Sequence, residues 1–321
     1  MSQLNLPWTE SPYFNELLEQ LQLSTEDQDL ARKYHEDGFI ILRNFLSEDL
    51  LNELNKELLS KYDTYYNAQQ GRTLDLWKNS AAIKDLATHP EILKILQMLY
   101  GREAIPFQTL NFKFGSRQKA HSDSIHFQSL PQRFMCGVWA ALEDTDESNG
   151  TLMYYPGSHR WPLYDYSVLS KQLRPTDEVT ETHFYAHTYE PFVEKLITQA
   201  GAKPEILRAR KGDVIIWSAN LVHGGLPHPE EGRTRWSQVT HYFFEDCLYY
   251  NPLQSNSTTG EWCLVPVVNI RNGKRTRGNY NGRKVRFKKA DGARFLISPY
   301  AIPDWRDAGY FFKRVFYKLF R

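Results

Sequence analysis

From position 104 onward the chain breaks into six short runs rich in aromatic and β-branched residues: IPFQTLNFKF, HSDSIHF, FMCGVWAAL, TLMYYP, DVIIWS and WSQVTHYFF. Turn-forming residues separate them, and no helix alternates regularly with them, so the βαβ rhythm of a parallel sheet is absent. The expected fold is mainly β, an antiparallel barrel or sandwich with flanking helices. The aromatic content, 8 Trp, 19 Tyr and 18 Phe in 321 residues, suits pleated strands around an apolar pocket. Between the fourth and fifth runs lies an insert, 163–203, too long for a hairpin. An insertion of this length at a barrel mouth reads as a lid or substrate-binding loop.

Ahead of the strands the pattern is helical. Leu17, Leu18, Leu21 and Leu23 mark a short helix within 12–23. Thr25-Glu26-Asp27-Gln28 has the form of a capping box, with Thr25 as N-cap of a helix running to about 35. Gly38 stops it, and FIILRNFL reads as a buried strand. Ser47 should cap a helix to about 62, with Leu50, Leu51, Leu54 and Leu58 on one face; a further helix spans 90–100 and ends at Gly101.

Cys136, Cys247 and Cys263 are too few and too irregular for a disulfide framework or a zinc knuckle, and read as reduced thiols of a cytoplasmic protein. No apolar run approaches the roughly 18 residues of a membrane span, and no signal pattern opens the chain. The net charge of +1 conceals an asymmetry. Positions 271–321 hold fifteen Lys and Arg against three Asp, a net of +12, while the first 270 residues carry 24 basic and 35 acidic side chains, a net of −11. Such a tail implies a polyanionic partner.

Four His-x-Asp/Glu spacings occur: His35/Asp37, His89/Glu91, His121/Asp123 and His228/Glu230. The first lies at a helix end, and two enclose a proline. Only His121/Asp123 sits in a strand-like run, where residues two apart share a face. With His223 of WSANLVHGG it would form a two-histidine, one-carboxylate set, which leaves three positions of an octahedral Fe(II) open. Ten and twelve residues beyond His223 come Arg233 and Arg235, either of which could meet a dicarboxylate through a two-pronged contact. Ser237 shares the face of Arg235.

The succession HSDSIHF, VWAALEDTDESNGTLMYYPGSHR, GDVIIWSANLVHGG and TRWSQVTHYFF, with YHEDGFIILRNFLS near the start, resembles the phytanoyl-CoA dioxygenase (PhyH) family of Fe(II)/2-oxoglutarate oxygenases over about 30–245. The resemblance implies a double-stranded β-helix (a cupin-like jelly roll), with His121, Asp123 and His223 as iron ligands. It implies 2-oxoglutarate as co-substrate and O2 as oxidant, with release of succinate and CO2. Arg235, ahead of His241-Tyr242, matches the family's co-substrate arginine better than Arg233 does. Trp139 matches a tryptophan of the co-substrate pocket. Related halogenating enzymes lack the carboxylate, so Asp123 implies hydroxylation. His126 could pair with Asp123, touch substrate or be a partly buried polar residue; His159 and His241 read as structural, and His183/His187 as a helical pair without a third ligand.

The expected organisation is a dioxygenase domain over 1–270, its jelly-roll core at 104–246, and a basic extension over 271–321. Within 304–321, Trp305, Ala308, Phe312, Val315, Phe316 and Leu319 would share one helical face and Arg306, Lys313, Arg314, Lys318 and Arg321 the other. That profile fits an interfacial helix on an anionic membrane, here the inner face of the cytoplasmic membrane. Docking on the domain or dimerisation would use the same face. Nothing resembles a nucleic-acid-reading module. The expected substrate is lipid-linked or anionic, such as the Kdo sugar of lipopolysaccharide. The alternatives are a soluble small molecule or acyl-CoA, and a non-enzymatic jelly roll that binds an anion.

Overall fold

The computed structural model describes residues 4–67, 71–116, 118–170, 181–227, 233–276, 279–280, 282–285, 287–291 and 294–297. Its helical layer begins with α1 (Phe14–Gln20) and α2 (Thr25–Asp37). Ser24, not Thr25, caps α2: its side chain accepts from the Asp27 N–H at 3.1 Å, and its backbone is extended with ψ 158. Both hydroxyls suit a cap, and the extended backbone gives the role to Ser24. The helix continues to Asp37 and stops at Gly38 with φ 82, a left-handed conformation that glycine adopts without strain. Ser47 caps α3 (Glu48–Tyr65), whose buried stripe is Leu51, Leu54, Leu58 and Tyr62. The short helix α4 (Ala81–Ala87), opened by Ser80, has too few turns to announce itself by periodicity. In α5 (Pro90–Tyr100) the proline stands at the first turn and Gly101 ends the helix.

The strands, in chain order, are β1 (Phe39–Leu42), β2 (Tyr66–Asn67), β3 (Arg72–Leu74), β4 (Ala104–Phe112), β5 (Gln128–Leu130), β6 (Met135–Ala141), β7 (Leu152–Tyr154), β8 (Glu205–Ile206), β9 (Val214–Ser218), β10 (His223–Gly225), β11 (Ser237–Phe244) and β12 (Leu248–Tyr250). The major sheet has the order β1-β9-β6-β11-β4-β3-β2; a smaller one runs β10-β7-β8, and β12 pairs with β5. All these pairings are antiparallel. The fold is a jelly roll with helices flanking its major sheet.

Alternation along the strands divides the apolar residues into two layers. Val214, Ile216, Tyr242 and Phe244 turn outward to pack with Leu51, Leu54, Leu96 and Tyr100 of the helices. Phe39, Phe112, Trp139, Ile215, Trp217 and Val239 turn inward with Leu152 and Tyr154. The inward set forms the wall on which the site is built.

The described part of the insert comprises α6 (Tyr166–Leu169), α7 (Glu181–Phe184), a π-turn over Tyr185–Tyr189, and α8 (Glu190–Ala200). Its Tyr166, Phe184, Tyr189 and Val193 pack with Ala120, Ile125 and Val222, so the insert rests against the stretch that carries His121 and Asp123. Position 270 falls between two paired strands, Val267–Asn269 and Lys274–Thr276. Glu261–Cys263 pairs with Arg294–Ile297. The amphipathic stretch 304–321 lies outside the described residues. Among the described residues no helix is long and apolar enough to cross a membrane.

Candidate metal and co-substrate site

His121 and His223 face each other across two antiparallel segments. Each backbone N–H donates to the other's carbonyl at 2.8 Å, a reciprocal pair that fixes both Cα positions. Gly224 permits this approach, since a Cβ there would lie 2.9 Å from the Gln118 carbonyl oxygen. Each imidazole is also held from behind: His121 Nδ1 lies 2.8 Å from the Lys119 carbonyl and His223 Nδ1 3.0 Å from the Leu221 carbonyl. A ring that donates its Nδ1–H presents a bare Nε2 lone pair, the state a metal requires.

Asp123 reaches the same point by a route the strand argument did not foresee. Only His121 is in a β-bridge, and Asp123 begins a 3-10 turn, Asp123–Ile125. The chain leaves extended geometry because Ser122 caps the turn: its Oγ accepts from the Ser124 N–H and donates to the Ala219 carbonyl. The Tyr189 hydroxyl accepts the Ser122 N–H at 3.0 Å. Asp123 Oδ1 then lies 3.7 Å from His121 Nε2 and 3.9 Å from His223 Nε2. One donor atom from each residue falls within 4.8 Å of the others, and all three residues are buried.

The second carboxylate oxygen is oriented by residues that the spacing of motifs did not reveal. Trp217 Nε1 donates to Asp123 Oδ2 at 2.8 Å, and His241 Nε2 stands 3.7 Å from that oxygen. His241 is itself held through Nδ1 by Gln108 Oε1 at 2.9 Å. The Trp217 indole lies across Gly137, its register partner on β6, where a Cβ would come within 2.4 Å of the ring. A glycine facing a tryptophan across paired strands is a usable signal, but only once register is known.

The electrostatics suit a divalent cation. Burial, more than the neighbouring His223, pushes His121 well below the usual imidazole range, so the ring is neutral. Burial alone would raise the Asp123 carboxyl; His223, His241, His121 and the Trp217 N–H outweigh it and hold the group ionised. Neutral imidazole and ionised carboxylate are the metal-binding forms.

These three residues open onto a cavity of about 320 Å³ that also reaches Trp139, Arg235, Val239 and His241. That is within the size range of small-molecule sites. Arg235 is 1% exposed. Its Nη2 makes one long bond to the Phe114 carbonyl, 3.4 Å, while Nε and Nη1 are buried without a partner. Its guanidinium lies over Phe112 and Trp139, 5.6 and 5.8 Å from the ring centroids. Burial lowers its pKa to about 10, still far above neutrality. Ser237 Oγ and Trp139 Nε1 are likewise buried and unbonded. Orphaned donors of this kind are rare unless something absent completes them. The C5 carboxylate of 2-oxoglutarate fits that gap, and the His-Asp-His set fits the iron.

Arg233 is placed elsewhere: its guanidinium lies against Asp146 and Ser148, and it does not line the cavity. His126 lines the cavity but stacks on Tyr185, with centroids 5.0 Å apart, rather than pairing with Asp123. His159 packs against Gly38 and binds the His35 carbonyl through Nε2 at 3.2 Å, away from the cavity. His183 and His187 have centroids 4.3 Å apart; among the described residues the only cluster able to hold a metal is His121, Asp123 and His223. His35 Nδ1 bonds the Thr9 carbonyl and His89 precedes α5, while His228 and Glu230 lie outside the described residues.

A jelly roll carrying a two-histidine, one-carboxylate set has the donors of a non-haem Fe(II) oxygenase. Residues 34–234 match the profile of the phytanoyl-CoA dioxygenase (PhyH) family, and the chain belongs to that family. The peroxisomal phytanoyl-CoA dioxygenase of Rattus norvegicus is 24% identical over 266 residues, 72% of this chain and 73% of the relative. The ectoine dioxygenase of Nocardia farcinica is 27% identical over 224 residues, 63% of this chain and 70% of the relative. Among solved structures, the epimerase SnoN in complex with Fe3+, alpha ketoglutarate and nogalamycin RO shares the fold at TM-score 0.54 and 20% identity, over 70% of this chain and 86% of that one. EctD from S. alaskensis with 2-oxoglutarate and 5-hydroxyectoine does so at TM-score 0.51 and 18% identity, over 87% of this chain and 93% of that one.

Proposed function

We propose that the enzyme is a hydroxylase, inserting one oxygen atom of O2 into a C–H bond of its substrate. His121, Asp123 and His223 are the iron ligands of this reading, and Arg235, Ser237 and Trp139 receive the far carboxylate of 2-oxoglutarate. The observation that carries it is a single cavity with the three ligand side chains and the partnerless Arg235 guanidinium on its wall.

The bound iron and co-substrate supply the oxidising power: RH, O2 and 2-oxoglutarate become ROH, succinate and CO2. The protein supplies geometry and dryness. The Lys119 and Leu221 carbonyls keep the protons of His121 and His223 on Nδ1, so both Nε2 atoms remain free to bind metal. Trp217 fixes one oxygen of Asp123 and leaves the other towards the imidazoles. Arg235 can meet a carboxylate with its unpaired Nε and Nη1 donors, and Trp139 on the same wall and Ser237, two residues along the chain from Arg235, hold further unbonded donors. Leu110, Phe112, Leu152 and Val239 add an apolar wall that keeps water from the reacting centre. With iron bound, the Asp123 carboxylate would take the place that a halide would need, which favours hydroxylation over halogenation.

The finer reading, a lipid-linked acidic sugar such as Kdo met at the membrane surface, rests on the charge of 271–321. Succinate release by the purified enzyme with Fe(II) and 2-oxoglutarate tests both levels. Stimulation by a membrane glycolipid extract alone supports the surface reading; stimulation by soluble metabolites alone keeps the chemistry and removes the membrane. Loss of binding to anionic liposomes after deletion of 304–321, with the truncated enzyme still folded, would assign the tail its role.

A further inference from the structure

A second guanidinium enters the cavity from the edge of the major sheet. Arg72, on β3, lies with its Cζ 5.9 Å from the centroid of Phe112, the ring that Arg235 also covers. Its Nε is buried without a hydrogen-bond partner, and among the described residues it forms no ion pair. Burial pulls its pKa below the usual guanidinium value, against the opposing pull of Asp123 and Tyr185.

The two acids that line the same cavity are already committed. Asp123 faces the imidazoles and Trp217. Glu181 accepts from Asn251 Nδ2 at 3.2 Å and Gln254 Nε2 at 2.6 Å, and makes no ion pair with Arg72. In formal charges, a divalent metal and Arg235 together offset Asp123 and a 2-oxoglutarate dianion, so a loaded centre is neutral and exerts little net pull on Arg72; Glu181 is the remaining acid on the wall, and its oxygens face Asn251 and Gln254 rather than the guanidinium. Arg72 is half-buried, and its buried, unpaired Nε gains from an anion that meets it.

We infer that Arg72 is a specificity residue that receives an anionic group, carboxylate or phosphate, of the primary substrate. The inference rests on the proposed assignment of Arg235 to 2-oxoglutarate, and it places substrate recognition on the β3 side of the iron. The groups beside it suit a polar substrate. Gln118 Nε2 donates to the Tyr185 hydroxyl at 3.2 Å, and His126 is stacked on that same ring. His126, Gln118 and Arg72 all line the cavity, so an anion on Arg72 would have neutral hydrogen-bonding groups beside it. A guanidinium offers a fork to either oxyanion, which is why both chemistries are kept.

Calorimetry on the Fe(II)-loaded protein under nitrogen separates the two arginines. 2-Oxoglutarate is titrated first; inorganic phosphate and acetate are then titrated into the 2-oxoglutarate complex. Saturable binding of at least one small anion is expected. Arg72→Met should weaken that binding about tenfold or more while 2-oxoglutarate affinity stays within about threefold, and Arg72→Lys should retain part of it. Three results would overturn the inference: neither anion binds wild type, an anion binds Arg72→Met as tightly as wild type, or Arg72→Met loses 2-oxoglutarate about tenfold. The last would make Arg72 a co-substrate residue. Arg235→Met in the same titration tests the underlying assignment by itself, because unchanged 2-oxoglutarate affinity there would sink that assignment alone.

Discussion

At the histidine end of the cavity the polar groups have partners within the protein, whereas at the Arg235 end they wait for one. His121 and His223 each have an Nδ1 contact to a carbonyl, and Asp123 has its tryptophan. Arg235 Nε and Nη1, Ser237 Oγ and Trp139 Nε1 have none. A metal cannot correct the geometry of its ligands cheaply, so the protein must set it beforehand. A dicarboxylate brings its own acceptors, so the donors can be left open. Each unsatisfied buried donor costs about 1–3 kcal/mol, which a ligand recovers on binding.

The contrast can be broken at the metal end first. Asp123→Ala should lower Fe(II) or Mn(II) affinity by more than about 100-fold, exceeding what loss of a supporting residue costs; near-wild-type affinity in a metal titration would remove Asp123 from the ligand set. At the open end, Arg235→Met should weaken 2-oxoglutarate by about 10–100-fold and leave metal affinity unchanged, as expected for one charge-assisted contact. Trp217→Phe keeps an aromatic side chain but removes the indole's second ring with its N–H, so metal affinity should fall about tenfold with no change in 2-oxoglutarate binding once metal saturates. Equal loss of both ligands would mean that the two ends are not separable.

Acid should act on the preset end and on the buried His159 outside the cavity. His121, His159 and His241 are lowered to about 3, 3 and 4, burial being the largest cause in each. An unfolded chain takes up these protons near pH 6.5, where the folded one refuses them. The unfolded state thus binds more protons between about 4 and 6.5, and stability drops as pH falls through that window. The melting temperature of metal-free protein should therefore decrease from pH 7 to pH 5, and a flat profile would contradict the burial argument. The smallest effect is expected from Arg233→Ala, which removes a partly exposed contact to Asp146 and should change 2-oxoglutarate affinity by less than about twofold.

That His121, Asp123 and His223 would come together was legible because a candidate ligand set needs few residue types at recognisable spacings, and the strand runs showed the sheet. The route to Asp123 was not legible: a strand repeat explains the pairing of His121 with His223, but the capped turn at Ser122 delivers the carboxylate. Strand phase could not separate Arg235 from Arg233, which are two apart and share a face; the resemblance favoured Arg235, and the fold sets Arg233 against Asp146 and Ser148 while Arg235 lines the cavity. Trp217, Gln108 and Arg72 escaped because their roles depend on which strand lies opposite, and no local pattern encodes register. Thr25 and Ser24 could not be told apart by composition, since both are good caps and one extended backbone decides.

The reciprocal backbone bonds between His121 and His223 have a mechanical side. Two stretches far apart in sequence meet at one rung, and the side chains of that rung point at the same ion. A metal there would rivet the segment before Asp123 to the minor sheet, while the insert, through Tyr189, leans on the same segment from outside. Chelation would thus loosen a seam as well as empty a site. Slower hydrogen exchange at the His121 and His223 amides, together with reduced proteolysis of the insert, would be the physical signature of a loaded enzyme.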